Sequence, residues 1–232
     1  MKTIGLIGGM SWESSLLYYR LINEGVKQRL GGLHSAQMLM YSVDFAPIEK
    51  LQHSGDWESA AQVMVDAARR LEAGGADFFL IATNTMHHVA EIVSAAVDIP
   101  LLHIADATAE VLVRDDVRRI GLLGTAFTME LDFYRKCISE QYQIDVIVPE
   151  LHDRQMVHDI IYQELCQGQI EGESREVYLA IIDRMREEDI DGVVLGCTEI
   201  GLLLQPQHTE IKLYDTTAIH AQQAVERSLA EY

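Results

Sequence analysis

Eight apolar runs of strand length punctuate the chain. They are TIGLIG (3–8), QMLMYSV (37–43), FFLIAT (78–83), PLLHI (100–104), RIGLLG (119–124), DVIVP (145–149), GVVLGC (192–197) and IKLYD (211–215). Most are separated by segments whose apolar residues recur every three to four positions. In 57–74 these are Ala60, Val63, Met64, Ala67, Ala68 and Leu71, with Gly74 and Gly75 as the stop. Segment 153–168 places Met156, Val157, Ile160, Ile161 and Leu165 on one face, and 172–189 does the same with Val177, Ile181, Ile182 and Met185. Short, mainly apolar strands alternating with amphipathic helices predict an α/β protein with parallel sheet buried on both faces.

The order of the runs repeats. IGLIGGM at 4–10 aligns with IGLLGTA at 120–126, an offset of 116, and ADFFLIATNT at 76–85 aligns with IDGVVLGCTE at 190–199, an offset of 114. Two matches in the same order at nearly one offset point to a duplicated α/β half. Aligned positions include Gly5 with Gly121, Gly8 with Gly124, Asp77 with Asp191, and Thr83 with Cys197. The expected division is a first domain of 1–98 plus 213–232 and a second of 99–212. Ligands of parallel sheets bind outside the carboxyl ends of the strands. The loops Gly8–Ser11, Thr83–Thr85, Gly124–Thr128 and Cys197–Glu199 are therefore expected to meet in an inter-domain cleft.

Charge narrows the ligand. A net charge of -18 argues against nucleic acid, whose binding needs concentrated Lys and Arg. An anionic substrate would have to be held by local donors against that field. The chain starts on a strand-like run with no basic leader and no long apolar stretch, so neither a secretory signal nor a membrane span is expected. Three widely spaced cysteines (137, 166, 197), without CxxC or His/Cys ligand spacing, indicate neither a disulfide framework nor a structural zinc. The reading is a cytoplasmic protein with reduced thiols.

Several loop residues carry chemistry. Cys197 ends a strand and precedes the helix-like TEIGLLL, where the helix dipole would favour thiolate. A buried cysteine of purely structural role is the competing reading, and it suits Cys137 and Cys166 better. Glu199, two residues on, can exchange a proton with the thiol or hold an ammonium group. Thr83, Asn84, Thr85, Thr125 and Thr198 offer donors and acceptors at helix starts, either as caps or as carboxylate holders. Ser11 is expected to cap a helix beginning near Glu13. The loop Gly5-Leu-Ile-Gly8-Gly9 lacks GxGxxG spacing and an acidic residue closing a second strand, which disfavours a dinucleotide. His87 and His88 read as surface or packing residues. His103 and Asp106 are weaker candidates to line the cleft.

Over essentially its full length the sequence resembles the aspartate/glutamate racemase superfamily. The resemblance rests on GLIGGMSWESSLLYYRLIN (5–23), ADFFLIATNTMHH (76–88), IGLLGTAFTMELDFYR (120–135), GVVLGCTEIGLLL (192–204) and DTTAIHA (215–221). It implies two pseudo-symmetric α/β domains, no cofactor and no metal, a small amino-acid substrate and a homodimer. It further implies racemisation by two bases, with a cysteine from each half flanking the substrate α-carbon. GCTE makes Cys197 one acid/base, with Thr198 and Glu199 beside it. TNT makes Asn84 and Thr85 substrate anchors, and Met10, Ser11 and Thr125 line the same pocket.

The departure is at Thr83, where the family pattern has Cys-Asn-Thr. An alcohol is a far weaker acid than a thiol, whose ordinary pKa is about 8.5. In related racemases the second-half cysteine faces the L-enantiomer. Cys197 is thus expected to deprotonate L-substrate, while Thr83, or water held by it, reprotonates the other face. The distal group of aspartate or glutamate needs donors. Asp44-Phe45 and Gln169 offer no cation, which leaves Gln52 and Lys50 nearby in sequence. A neutral polar substrate such as homoserine is the alternative. A single-cysteine decarboxylase and an inactive amino-acid-binding homologue also stay open.

Overall fold

The computed structural model describes residues 1–230 and 232. In chain order the first elements are β1 (Ile4–Gly8), α1 (Trp12–Leu30), β2 (Met38–Ser42), α2 (Phe45–Ser54), α3 (Trp57–Ala73), β3 (Phe78–Ile81) and α4 (Ala90–Ser94). Next come α5 (Ile104–Arg114), β4 (Arg119–Gly124), α6 (Ala126–Glu130), α7 (Asp132–Lys136), β5 (Asp145–Ile147) and α8 (Leu151–Gln163). The last are α9 (Gly172–Arg186), β6 (Gly192–Gly196), α10 (Ile200–Leu203), β7 (Lys212–Asp215) and α11 (Thr216–Leu229). No helix among the described residues is long and apolar enough to cross a membrane.

The strands form two parallel sheets, ordered β2-β1-β3 and β5-β4-β6-β7. An isolated parallel bridge, Phe79 to Leu101, extends the first sheet beyond β3. The expected strand at 100–104 shrinks to that bridge. The internal echo holds at the level of register. Ile4 sits opposite Phe78, as Ile120 sits opposite Gly192. Phe79 faces Leu101, as Val193 faces Leu213. The aligned aspartates do the same job at the two sheet bases. The Asp77 carboxylate accepts from the Thr3 N–H at 2.5 Å, and the Asp191 carboxylate accepts from the Arg118 and Arg119 N–H groups at 2.8 and 3.0 Å.

Side-chain alternation along β1 and β3 buries both faces of the first sheet. Ile4, Leu6, Phe78, Leu80 and Ala82 pack with Tyr18, Ile22 and Val26 of α1 and with Ala221, Ala224 and Val225 of α11. Ile7, Phe79 and Ile81 pack on the other side with Met64, Ala67, Ala68 and Leu71 of α3. The second sheet sets Leu123, Val193 and Leu195 against Val157 and Ile161 of α8 and Ile181, Ile182 and Met185 of α9. Each such large apolar side chain contributes about 1.5–3 kcal/mol when fully buried. Val63 and Val177, expected on the core faces of α3 and α9, are only partly buried.

Two compact units result: Met1–Ile104 with His220–Tyr232, and Ala105–Ile219. Both edges differ from the expected 1–98 plus 213–232 and 99–212. Residues near 101 stay with the first unit because Leu101 bridges Phe79 and the Leu102 N–H donates to Phe79 O at 2.8 Å. Residues 212–215 stay with the second because β7 pairs with β6.

Candidate functional site

The predicted residues fall into two strand-end clusters, one in each unit. In the first unit, Met10, Ser11, Gln52, Asn84 and Thr85 are all buried. The turn after β1 is built from glycine at close quarters. Gly9 has φ +98°, and a Cβ there would lie 2.7 Å from Val43 N and closer still to Val43 O. Its N–H donates to Ser15 Oγ at 2.7 Å, and that hydroxyl donates to Ser11 O at 3.0 Å. The Met10–Ser11 peptide is cis. Ser11 caps α1, accepting the Ser14 N–H at 3.3 Å. The helix starts at Trp12, one residue before the expected Glu13. Met10 and Met86 share one apolar cluster, and Gln52 Nε2 donates to Met86 sulfur at 3.0 Å. Lys50 is exposed.

Thr83 follows β3, and the chain then forms a 3₁₀ turn over Thr85–Val89 rather than a regular helix start. Asn84 occupies its N-cap without a side-chain capping bond. His87, expected as a surface or packing residue, holds this turn. His87 is 2% exposed, and its Nδ1 bonds the Thr83 carbonyl at 2.8 Å. His88 instead stacks edge-on against Trp57 at 4.5 Å. His103 does not stand alone either, since its ring packs 4.6 Å from that of His87.

In the second unit, β4 and β6 end side by side because both end in glycine. A Cβ on Gly124 would meet Gly196 O at 2.8 Å, and one on Gly196 would lie 3.3 Å from the Thr128 methyl. Thr125 caps α6 by accepting the Thr128 N–H at 3.2 Å. His158 Nδ1 accepts the Ala126 N–H at 3.1 Å, a contact from α8 that the linear sequence gives no sign of. Just past Gly196, the Cys197 thiol donates to Glu199 Oε2 at 3.0 Å, and the Thr198 hydroxyl donates to the same oxygen at 2.6 Å. Cys197, Thr198 and Glu199 are buried, with Cys197 8% exposed and Glu199 2%.

That pairing reverses the expected ionisation. Burial, then the Glu199 charge, holds the Cys197 thiol well above its ordinary range. The helix that was expected to favour thiolate is α10, four residues long and beginning only at Ile200. Its dipole is too short and too remote to compete, since the effect fades within a turn. The resting group is a thiol that hands its proton toward a carboxylate. Cys137, read as structural, donates to Asp106 at 3.1 Å and is likewise pushed up, chiefly by burial. Asp106 is thus a partner of Cys137 and Tyr142 within the second unit.

Two parallel α/β units of one strand order, with polar loops closing their matched strands, are the architecture of the aspartate and glutamate racemases. Residues 7–224 match the Asp/Glu/Hydantoin racemase family, and the chain belongs to it. A crystal structure described as a candidate Asp/Glu racemase from Yersinia pestis is 50% identical, with a TM-score of 0.91 over 99% of this chain and 100% of that one. The aspartate racemase homologue PH1733 from Pyrococcus horikoshii OT3 is 33% identical, with a TM-score of 0.85 over 99% of this chain and all of that one. The broad specificity amino-acid racemase RacX of Bacillus subtilis is 22% identical over 98% of both chains.

Proposed function

We propose that this protein is a cofactor-independent racemase of L-aspartate and L-glutamate, with Cys197 as the base on the L side and Thr83 serving the opposite face. The observation that carries the reading is the buried Cys197–Glu199 pair at the carboxyl end of β6. It is supported by the register that makes Thr83 the counterpart of Cys197 in the other sheet. Racemisation needs a base of modest strength that can also return a proton, and a thiol beside a carboxylate suits both tasks.

The chemistry follows from the electrostatics. In the free protein the thiol keeps its proton. A substrate ammonium group near Glu199 offsets the carboxylate charge that opposes thiolate formation. The thiolate then takes the α-proton, and the electron pair spreads into the substrate carboxylate. A proton from the Thr83 hydroxyl, or from a water it holds, arrives on the other face. The thiol's own proton, passed to Glu199 or water when the thiolate forms, is replaced by the α-proton, which returns Cys197 to its resting state, and the alkoxide equivalent is refilled by one proton from solvent, which balances the one released. Asn84, Thr85, Thr125 and Thr198 hold the α-carboxylate and ammonium, while Met10, Ser11 and Gln52 shape the side-chain end. Enantiomers have equal free energy in water, so kcat/KM must be the same in both directions. A preference for L-to-D conversion is therefore one of saturation and assay conditions.

The test is a panel of L-amino acids in deuterated water, read by α-proton exchange and chiral analysis. L-aspartate or L-glutamate should exchange and racemise without releasing CO2. Cys197→Ala should lose about 10²–10⁴-fold, the usual share of a general acid–base group. Equal, fast rates in that variant would sink the proposal. Preference for a neutral polar amino acid is the second reading. It is favoured by the buried, uncharged Gln52 amide and by the broad specificity in the name of the Bacillus subtilis relative.

A further inference from the structure

We infer that His87 is a positioning residue, which sets the Thr83–Thr85 loop through its Nδ1–H bond to the Thr83 carbonyl. The inference rests on the role proposed for Thr83 and gives that role a structural support. Ala82 still belongs to the ladder, with its N–H on Ile7 O at 2.9 Å. One residue later the carbonyl turns to His87 at 2.8 Å. The other ring nitrogen, Nε2, accepts the Ile104 N–H at 3.2 Å. A nitrogen that accepts carries no proton, so the proton sits on Nδ1 and is donated to Thr83 O. A single neutral tautomer satisfies both bonds, and an imidazolium would lose one of them.

The surroundings hold the ring in that state. His87 is buried, and burial, followed by the neighbouring His103 and His220, keeps it neutral. His103 packs edge-on at 4.6 Å and His220 at 6.0 Å, which blocks a swing of the ring. His220 is fixed in turn by Tyr18 Oη at 2.8 Å and by Leu102 O at 2.8 Å. Fixing the Thr83 carbonyl fixes the plane of the Thr83–Asn84 peptide, and with it the direction in which the hydroxyl and the next two residues point. A displacement of about 1 Å at a reacting group costs on the order of 10²-fold in rate.

Two substitutions separate this role from simple packing. In His87→Asn the amide N–H lies near the place of Nδ1 and can still serve Thr83 O. In His87→Gln the amide lies near the place of Nε2 and serves Ile104 instead. The readout is the ratio of D-product formed to deuterium gained in the remaining L-substrate, because only inversion needs the Thr83 face. His87→Asn should keep that ratio within about threefold of the natural protein, whereas His87→Gln should lower it by roughly tenfold to 10²-fold. Exchange on the Cys197 face should persist in both. A ratio unmoved in both, or lower in Asn than in Gln, overturns the inference while leaving the racemase reading intact. A natural protein that neither exchanges nor racemises any L-amino acid overturns the reading itself. Nitrogen-15 NMR of the unsubstituted protein decides the geometry even if both variants misfold. A protonated Nδ1 with an accepting Nε2 at neutral pH supports it, and the opposite tautomer or an imidazolium refutes it.

Discussion

Gly201 lies two residues beyond Glu199, in the short helix α10 that follows the candidate thiol. A Cβ at Gly201 would lie 3.1 Å from the Asp215 carboxyl carbon and press harder still on its Oδ2. Asp215 cannot simply retreat, because its Oδ1 accepts the Thr217 N–H at 2.8 Å and the Ala218 N–H at 3.2 Å in the first turn of α11. Gly201→Ala should gain up to about 1 kcal/mol of helix propensity. Against that stand about 1–3 kcal/mol of overpacking and about 1 kcal/mol for weakened capping. The net expectation is a loss near 2 kcal/mol, which for a chain of this length lowers Tm by roughly 4–8 °C. Asp215→Ala alone should cost about 1 kcal/mol through the lost cap. The informative quantity is the double variant. With the carboxylate gone, Gly201→Ala should become neutral or slightly stabilising, a coupling of about 2 kcal/mol in sign opposition to the single changes. Thermal melts and denaturant titrations of all four proteins measure it. Costs that simply add would refute the argument that Gly201 is glycine to make room for Asp215. Because α10 begins only three residues after Cys197, the single variant should also lose racemisation more steeply than stability, and the double variant should regain it.

Thr83→Cys should raise kcat/KM for L- and D-substrate by one common factor, up to about 10²-fold or more, because the equilibrium constant between enantiomers is fixed. Initial rates from both sides check it, and no gain in kcat/KM from either side would contradict the assignment. Acid stability offers a separate test. Burial pushes His220 down to about 3 in the folded protein from an ordinary 6.5. Its stabilising contribution is whole above pH 6.5 and is lost as pH falls below it, at about 1.4 kcal/mol per pH unit, since the unfolded chain then binds a proton that the folded one refuses. His220→Gln keeps a donor for Leu102 O, so the gap in unfolding free energy between the two proteins should narrow by about that slope from pH 6.5 to about 5. Parallel pH profiles would count against the buried neutral histidine.

The sheets were legible because buried parallel strands are mainly apolar, and the glycines that let β4 and β6 ends approach are visible as IGLLG and VVLG. The duplication was legible for the same reason, down to Asp77 and Asp191. The run at 100–104 misled because its pattern matches a strand, yet pairing stops after Leu101. The ionisation of Cys197 was not legible. Sequence shows a thiol before a helix, but the outcome depends on how deeply the thiol is buried and how close Glu199 lies, both set by packing. His87 was half visible: its spacing of four from Thr83 allows a return bond to the carbonyl, but only burial beside His103 and His220 makes that bond persist.

The return of the chain to the first unit has a consequence for biosynthesis. Ala221, Ala224 and Val225 complete the core around Ile4, Leu6 and Tyr18, and Lys2 exchanges backbone and hydroxyl bonds with Ser228. The second unit is one uninterrupted stretch, so it has all its strands once residue 219 has left the ribosome. The first unit, begun earliest, waits for the final helix. During translation the half carrying Cys197 is therefore able to mature before the half carrying Thr83, whose apolar sheet face is a natural target for chaperones until α11 emerges.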